Sequence, residues 1–96
     1  MISLPGQVPS AANMGARLAI VELLNCHSRA LDRLDASLMK AVYWPSATVD
    51  YGGFKGEAHV FANLVMGALA GQYQLTQHRV TNTVFEFLSD QQAATE

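Results

Sequence analysis

His27, Asp32 and His78 are the residues whose types could carry acid–base chemistry in this sequence. An imidazole titrates near neutrality, and a carboxylate bonded to it fixes its tautomer and raises the basicity of the free nitrogen. Should Asp32 reach His78, the pair becomes a general base able to remove a proton next to a carbonyl. Tyr51, just before Gly52-Gly53, and Tyr73 are phenols suited to donate to a developing oxyanion. Each residue also has a plainer use. A lone histidine is commonly hydrogen-bonded for structure, Asp32 can pair with Arg29 one helical turn earlier for about a few tenths of a kcal/mol, and tyrosines pack as aromatics.

Other chemistries fit the spacing less well. Cys26 and His27 are neighbours, and helical neighbours diverge by about 100°, so they form no thiolate–imidazolium pair. His27, Asp32 and His78 count up to a two-histidine, one-carboxylate set without the close HxD or HxE spacing of an iron site, so no metal is expected. Gly52-Gly53-x-x-Gly56 lacks both the Walker lysine–hydroxyl pair and the dinucleotide GxGxxG spacing, and reads as a turn.

Composition narrows the class. The 96 residues are 50% apolar and 15% charged, enough for one folded domain and no more. Six Lys and Arg against eight Asp and Glu give a formal net charge of −2, which offers no basic field for nucleic acid or anionic lipid. No run approaches the about 18–20 apolar residues of a membrane span. The single Cys26 and the absence of an export signal point to a cytoplasmic protein.

The elements that must position these residues follow from periodicity. Residues 1–12, with Pro5, Gly6 and Pro9, form a flexible leader, and the folded domain covers 13–96. Ile20, Leu23, Leu24, His27, Leu31 and Leu34 fall on one face of an amphipathic helix, which points His27 inward. Asp32 lies about 140° around from His27, so both face one cavity only where the helix ends or curls near Leu31. Asp35 stands as the N-cap of a second, shorter helix ending at Trp44-Pro45. A short strand over Thr48 to Tyr51 is closed by Gly52-Gly53, and a third helix runs from Glu57 to Ala70 with Gly71 as a left-handed cap.

Tyr73 to Leu88, rich in Thr, Val and Phe and free of Gly and Pro, is predicted as one long strand. Its alternation puts Thr76, His78, Val80, Asn82 and Val84 on one face. His78 and Asn82 then either satisfy each other and the backbone or line a partly apolar cavity. Ser89-Asp90-Gln91 makes a turn into a short returning strand. So short a partner leaves much of the long strand unpaired, a template for self-association.

Taken together, CHSRALDRLDASLMKAVYWPSATVDYGGFKG and the later TQHRVTN resemble the SnoaL-like branch of the nuclear transport factor 2-like superfamily, over about residues 16–96. The specific parts are Ala30-Leu31-Asp32-Arg33-x-Asp35, Ala47 to Gly52, and Thr76-x-His78-x-x-x-Asn82. The resemblance implies an α+β fold, a cone-like curved antiparallel sheet packed on three helices around an apolar pocket. It also implies that the last strands of the usual fold are missing from this sequence. The chain is then a fragment of a longer protein, or two copies complete one another's sheet by strand exchange as a homo-oligomer, or the domain is a degenerate relative with an open pocket.

The superfamily that the sequence resembles includes scytalone dehydratase, bile-acid 7α-dehydratase and ketosteroid isomerase, alongside members with no catalytic role. In the dehydratases an aspartate matching Asp32 orients a histidine matching His78, the general base of an elimination. His27 stands where a tyrosine is common, Tyr51 matches a position that binds a substrate oxygen, and Asn82 matches a pocket-floor asparagine. The resemblance therefore implies a cofactor-independent lyase or isomerase with Asp32 and His78 catalytic, and His27, Tyr51 and Asn82 binding a small hydrophobic cyclic molecule. The alternative is a non-catalytic ligand-binding or dimerisation module of the same fold, to which the histidine at position 27 and the missing strands point.

Overall fold

The computed structural model describes residues 8–96, and residues 1–7 of the expected leader lie outside them. Asn13 closes the turn ahead of the first helix, its side-chain oxygen accepting from the Ser10 backbone N–H and from Arg17 Nε, both at 2.9 Å. Helix α1 then spans Met14–Asp32. It ends in a paired-bond turn in which the Leu34 N–H donates to Leu31 O at 3.3 Å and the Asp35 N–H to Ala30 O at 2.9 Å. Leu34, at the apex, takes a φ of 54°. This is the left-handed helix stop usually given to glycine, and a leucine is strained in it.

The stop brings Asp35 directly into position as the next N-cap, as its place in the sequence predicts. Its carboxylate accepts from the Leu38 N–H at 2.9 Å and starts α2, Ala36–Ala41. Helix α2 ends before the expected Trp44-Pro45 boundary. Helix α3 runs over Ala58–Gln72. The core lies where the three helices meet, with Ala30 and Leu31 of α1, Met39 of α2 and Ala62 and Met66 of α3 buried together. Small residues at 30 and 62 let the helices approach closely around Met39, which is fully buried.

Gly71, expected to cap α3 in the left-handed conformation, does not do so. The helix continues to Gln72 and leaves through Tyr73 at φ −134°, ψ 146°, straight into extended chain. A left-handed residue is needed only where the chain must reverse, and here it does not.

Strand β1, Thr48–Asp50, pairs antiparallel with β2, Lys55–Glu57, in the register Thr48 to Glu57. The hairpin turns at Gly52, whose φ of 76° suits glycine. It is fastened to α3 by the Ala58 N–H donating to Ala47 O at 2.9 Å and by Phe61, which stacks on Tyr51 with ring centres 4.4 Å apart.

The single long strand expected over Tyr73 to Leu88 is not formed. Only Phe85–Ser89 is a strand, β3, pairing antiparallel with β4, Gln92–Thr95, around a bulge between Phe87 and Ser89. Residues rich in Thr and Val favour extended backbone, but a strand also needs a neighbour for its N–H and C=O groups. In the segment before β3 the His78 N–H is taken by the Asp32 carboxylate instead, and Asn82 at φ 57° interrupts the alternation.

The chain is α+β, three helices with antiparallel β structure, as expected. Among the described residues the β structure consists of two short hairpins that do not close into one continuous sheet. Among the described residues, no helix is long and apolar enough to cross a membrane.

Candidate functional site

Asp32 is the last residue of α1, so its carboxylate projects where the chain turns away and the helix no longer covers it. Three donors from the segment after α3 converge on it. The His78 backbone N–H donates to Oδ2 at 2.8 Å, and on Oδ1 the His78 Nδ1 lies at 2.5 Å and the Thr76 hydroxyl at 3.1 Å. Burial works against ionisation of Asp32. The His78 amide, the His78 imidazole and the Thr76 hydroxyl outweigh it, and the carboxyl sits below the ordinary carboxylate range. An ionised Asp32 accepts from Nδ1–H and leaves Nε2 of a neutral His78 as the free base.

The structure brings Asp32 and His78 together, but in an open cleft rather than inside the expected apolar pocket. The His78 side chain is 41% exposed, and the cleft beside the pair, about 920 Å³, is open. Its walls are the last turns of α1 and residues 75–81.

His27, one and a half turns earlier on α1, faces a different and smaller cavity of about 310 Å³. Its Nε2 lies 2.9 Å from the Tyr43 hydroxyl, which lies 3.1 Å from the Tyr51 hydroxyl. Leu23, Leu24 and Val42 complete an apolar wall around this chain of three polar tips. Burial, reinforced by repulsion from His78 whenever that ring is protonated, pushes the His27 imidazole below its ordinary value and favours its neutral form. Tyr43 is pushed above the ordinary phenol range, chiefly by burial and then by its bond with Tyr51. The Tyr51 phenol is half exposed at the cavity mouth, its ring fixed by the stack on Phe61.

His27 and Tyr51 are thus brought together, and Asp32 and His78 are brought together, in two cavities rather than one. Asn82 lines neither cavity and stays exposed at its left-handed bend. Tyr73, 56% exposed, also lines neither. Tyr43, the bridge between His27 and Tyr51, carries no signal in the sequence. It follows α2 outside the helical stripe, and its partner lies sixteen residues away. Thr76 shares a motif and an expected face with His78, and its bond to Asp32 is new information from the fold.

A family model described as SnoaL-like domain matches residues 12–96. No curated protein and no solved structure gives a significant match.

Proposed function

Because the chain belongs to the SnoaL-like domain family, we propose that it is a cofactor-independent lyase or isomerase in which His78, held by Asp32, is the general base toward a small cyclic hydrophobic substrate. The observation that supports this reading is the convergence of three donors on Asp32, which orients Nδ1 toward the carboxylate and leaves Nε2 with no protein partner among the described residues. In the reaction Nε2 takes a proton from carbon next to a carbonyl, and the C–H electron pair becomes the double bond of an enolate. A β-hydroxyl then leaves as water after taking that proton, or the proton returns to another carbon. Tyr51 and His27 bind substrate oxygen from the smaller cavity, with Tyr43 fixing both; Asn82, expected from the sequence to bind as well, lies away from both cavities and is given no part in the reaction.

The second reading, a ligand-binding or dimerisation module without chemistry, is favoured by the exposure of His78 in an open cleft, where water competes for Nε2. One experiment separates the two. Cyclic β-hydroxy ketones are incubated with the protein and enone formation is followed by absorbance. On the first reading enone accumulates, and Asp32→Asn lowers turnover by about 10²–10⁴-fold with helix content unchanged. Binding without product supports the second reading. Turnover indifferent to Asp32→Asn removes the pair from the mechanism.

A further inference from the structure

The cleft that holds Asp32 and His78 is bordered by arginines on both walls. Arg29 sits in the last turn of α1 and Arg33 caps it, one turn apart and so on one side of the helix end. Arg79 comes from the opposite wall, directly after His78. The whole sequence has six Lys and Arg and a formal net charge of −2, so half of the cations of an acidic chain line one cleft. Among the described residues none of these three guanidinium groups makes a hydrogen bond or ion pair. The one carboxylate on the lining, Asp32, is already committed to His78 and Thr76.

Attraction to the negative end of α1 accounts for Arg29 and Arg33 on structural grounds. It does not account for Arg79, which lies on no helix. Apolar surface accompanies the charge on that same wall, where Leu75 is 85% exposed and Val80 42%. A cleft of this volume is within the range of small-ligand sites, and a planar guanidinium fork matches a carboxylate or phosphate with two parallel hydrogen bonds.

We propose that the cleft binds an amphipathic anion, with an oxyanion head, carboxylate or phosphate, held by Arg29, Arg33 and Arg79, and an apolar body laid on Leu75 and Val80 beside the His78 ring. This deepens the proposed function by giving its substrate a charge, and it rests on that reading only for what happens at Nε2.

The test is equilibrium binding of three naphthalene probes by calorimetry, 1-naphthoate, 1-naphthyl phosphate and the neutral 1-naphthamide. At least one anion binds about tenfold or more tightly than the amide, its affinity falls with added salt, and the tighter of the two identifies the head group. The double variant Arg33→Gln, Arg79→Gln loses that preference while retaining the wild-type affinity for the amide. His78→Asn, which keeps the backbone bond to Asp32, loses enone formation and keeps the anion preference. An amide bound as tightly as both anions, or an anion preference unaltered in the double arginine variant, overturns the anion site whatever the kinetics show. Full turnover in His78→Asn overturns the general base and leaves the anion site standing.

Discussion

Five residues of α1 separate a histidine favoured in its neutral form from an aspartate held ionised, and the difference lies in what each side chain touches. His27 is desolvated between leucines with a phenol as its partner, whereas Asp32 collects three donors at the helix end. The folded imidazole at 27 titrates below its ordinary 6.5, so on acidification the unfolded chain takes up that proton first. Its contribution to stability is complete above that value and is lost as pH falls through the lowered one. The melting temperature should therefore drop as the pH falls below 6.5, and His27→Gln should flatten part of the drop. An equal slope in the variant would contradict the assignment. The corresponding loss from Asp32 comes at lower pH, beginning near the ordinary carboxylate value of 3.8 and continuing through the lowered one, so the two are separable. At this scale His27 was placed inward by its spacing alone. The meeting of Asp32 with His78 came only through family resemblance, because a bond across forty-six residues leaves no periodic trace.

Among the elements, the turn from α1 to α2 is where local strain and local satisfaction are most clearly paired. Leu34 is left-handed without being glycine, while Asp35 caps α2 with a good side-chain bond. Leu34→Gly should raise stability by about 1 kcal/mol, and Asp35→Ala should lower it by about 1 kcal/mol, read as shifts in urea midpoint. A destabilised Leu34→Gly would mean that the packing of the leucine outweighs its backbone strain. Helices and the Asp35 cap were legible because apolar spacing and capping chemistry are local. Strand β2 was not, since Lys55-Gly56-Glu57 has neither β-branched residues nor alternation and forms only because β1 lies opposite. The 73–84 segment was misread for the converse reason. Its composition favours extension, but whether an extended chain becomes a strand is decided by partners elsewhere in the fold. Asp32 takes that role here, tethering the second wall of the cleft to the first.

At the scale of the molecule, a helical core around Met39 carries two hairpins whose outer edges are unpaired among the described residues. We propose that copies associate through these edges, a route open to any exposed strand. Sedimentation equilibrium should give a dimer or larger assembly at micromolar concentration, and a monomer throughout would argue against edge pairing. The α+β class was readable from the order of patterns along the chain, while the separation of the β structure into two hairpins depends on contacts that no pattern displays. The reading of the molecule as an enzyme turns on one orientation, the His78 ring presenting Nδ1 to Asp32 and Nε2 to the cleft. Nitrogen-15 NMR of the histidine rings, followed to a pH where His78 is neutral, tests it directly. The account predicts a protonated Nδ1, an unprotonated Nε2, and loss of this preference in Asp32→Asn. A neutral His78 carrying its proton on Nε2 would contradict it.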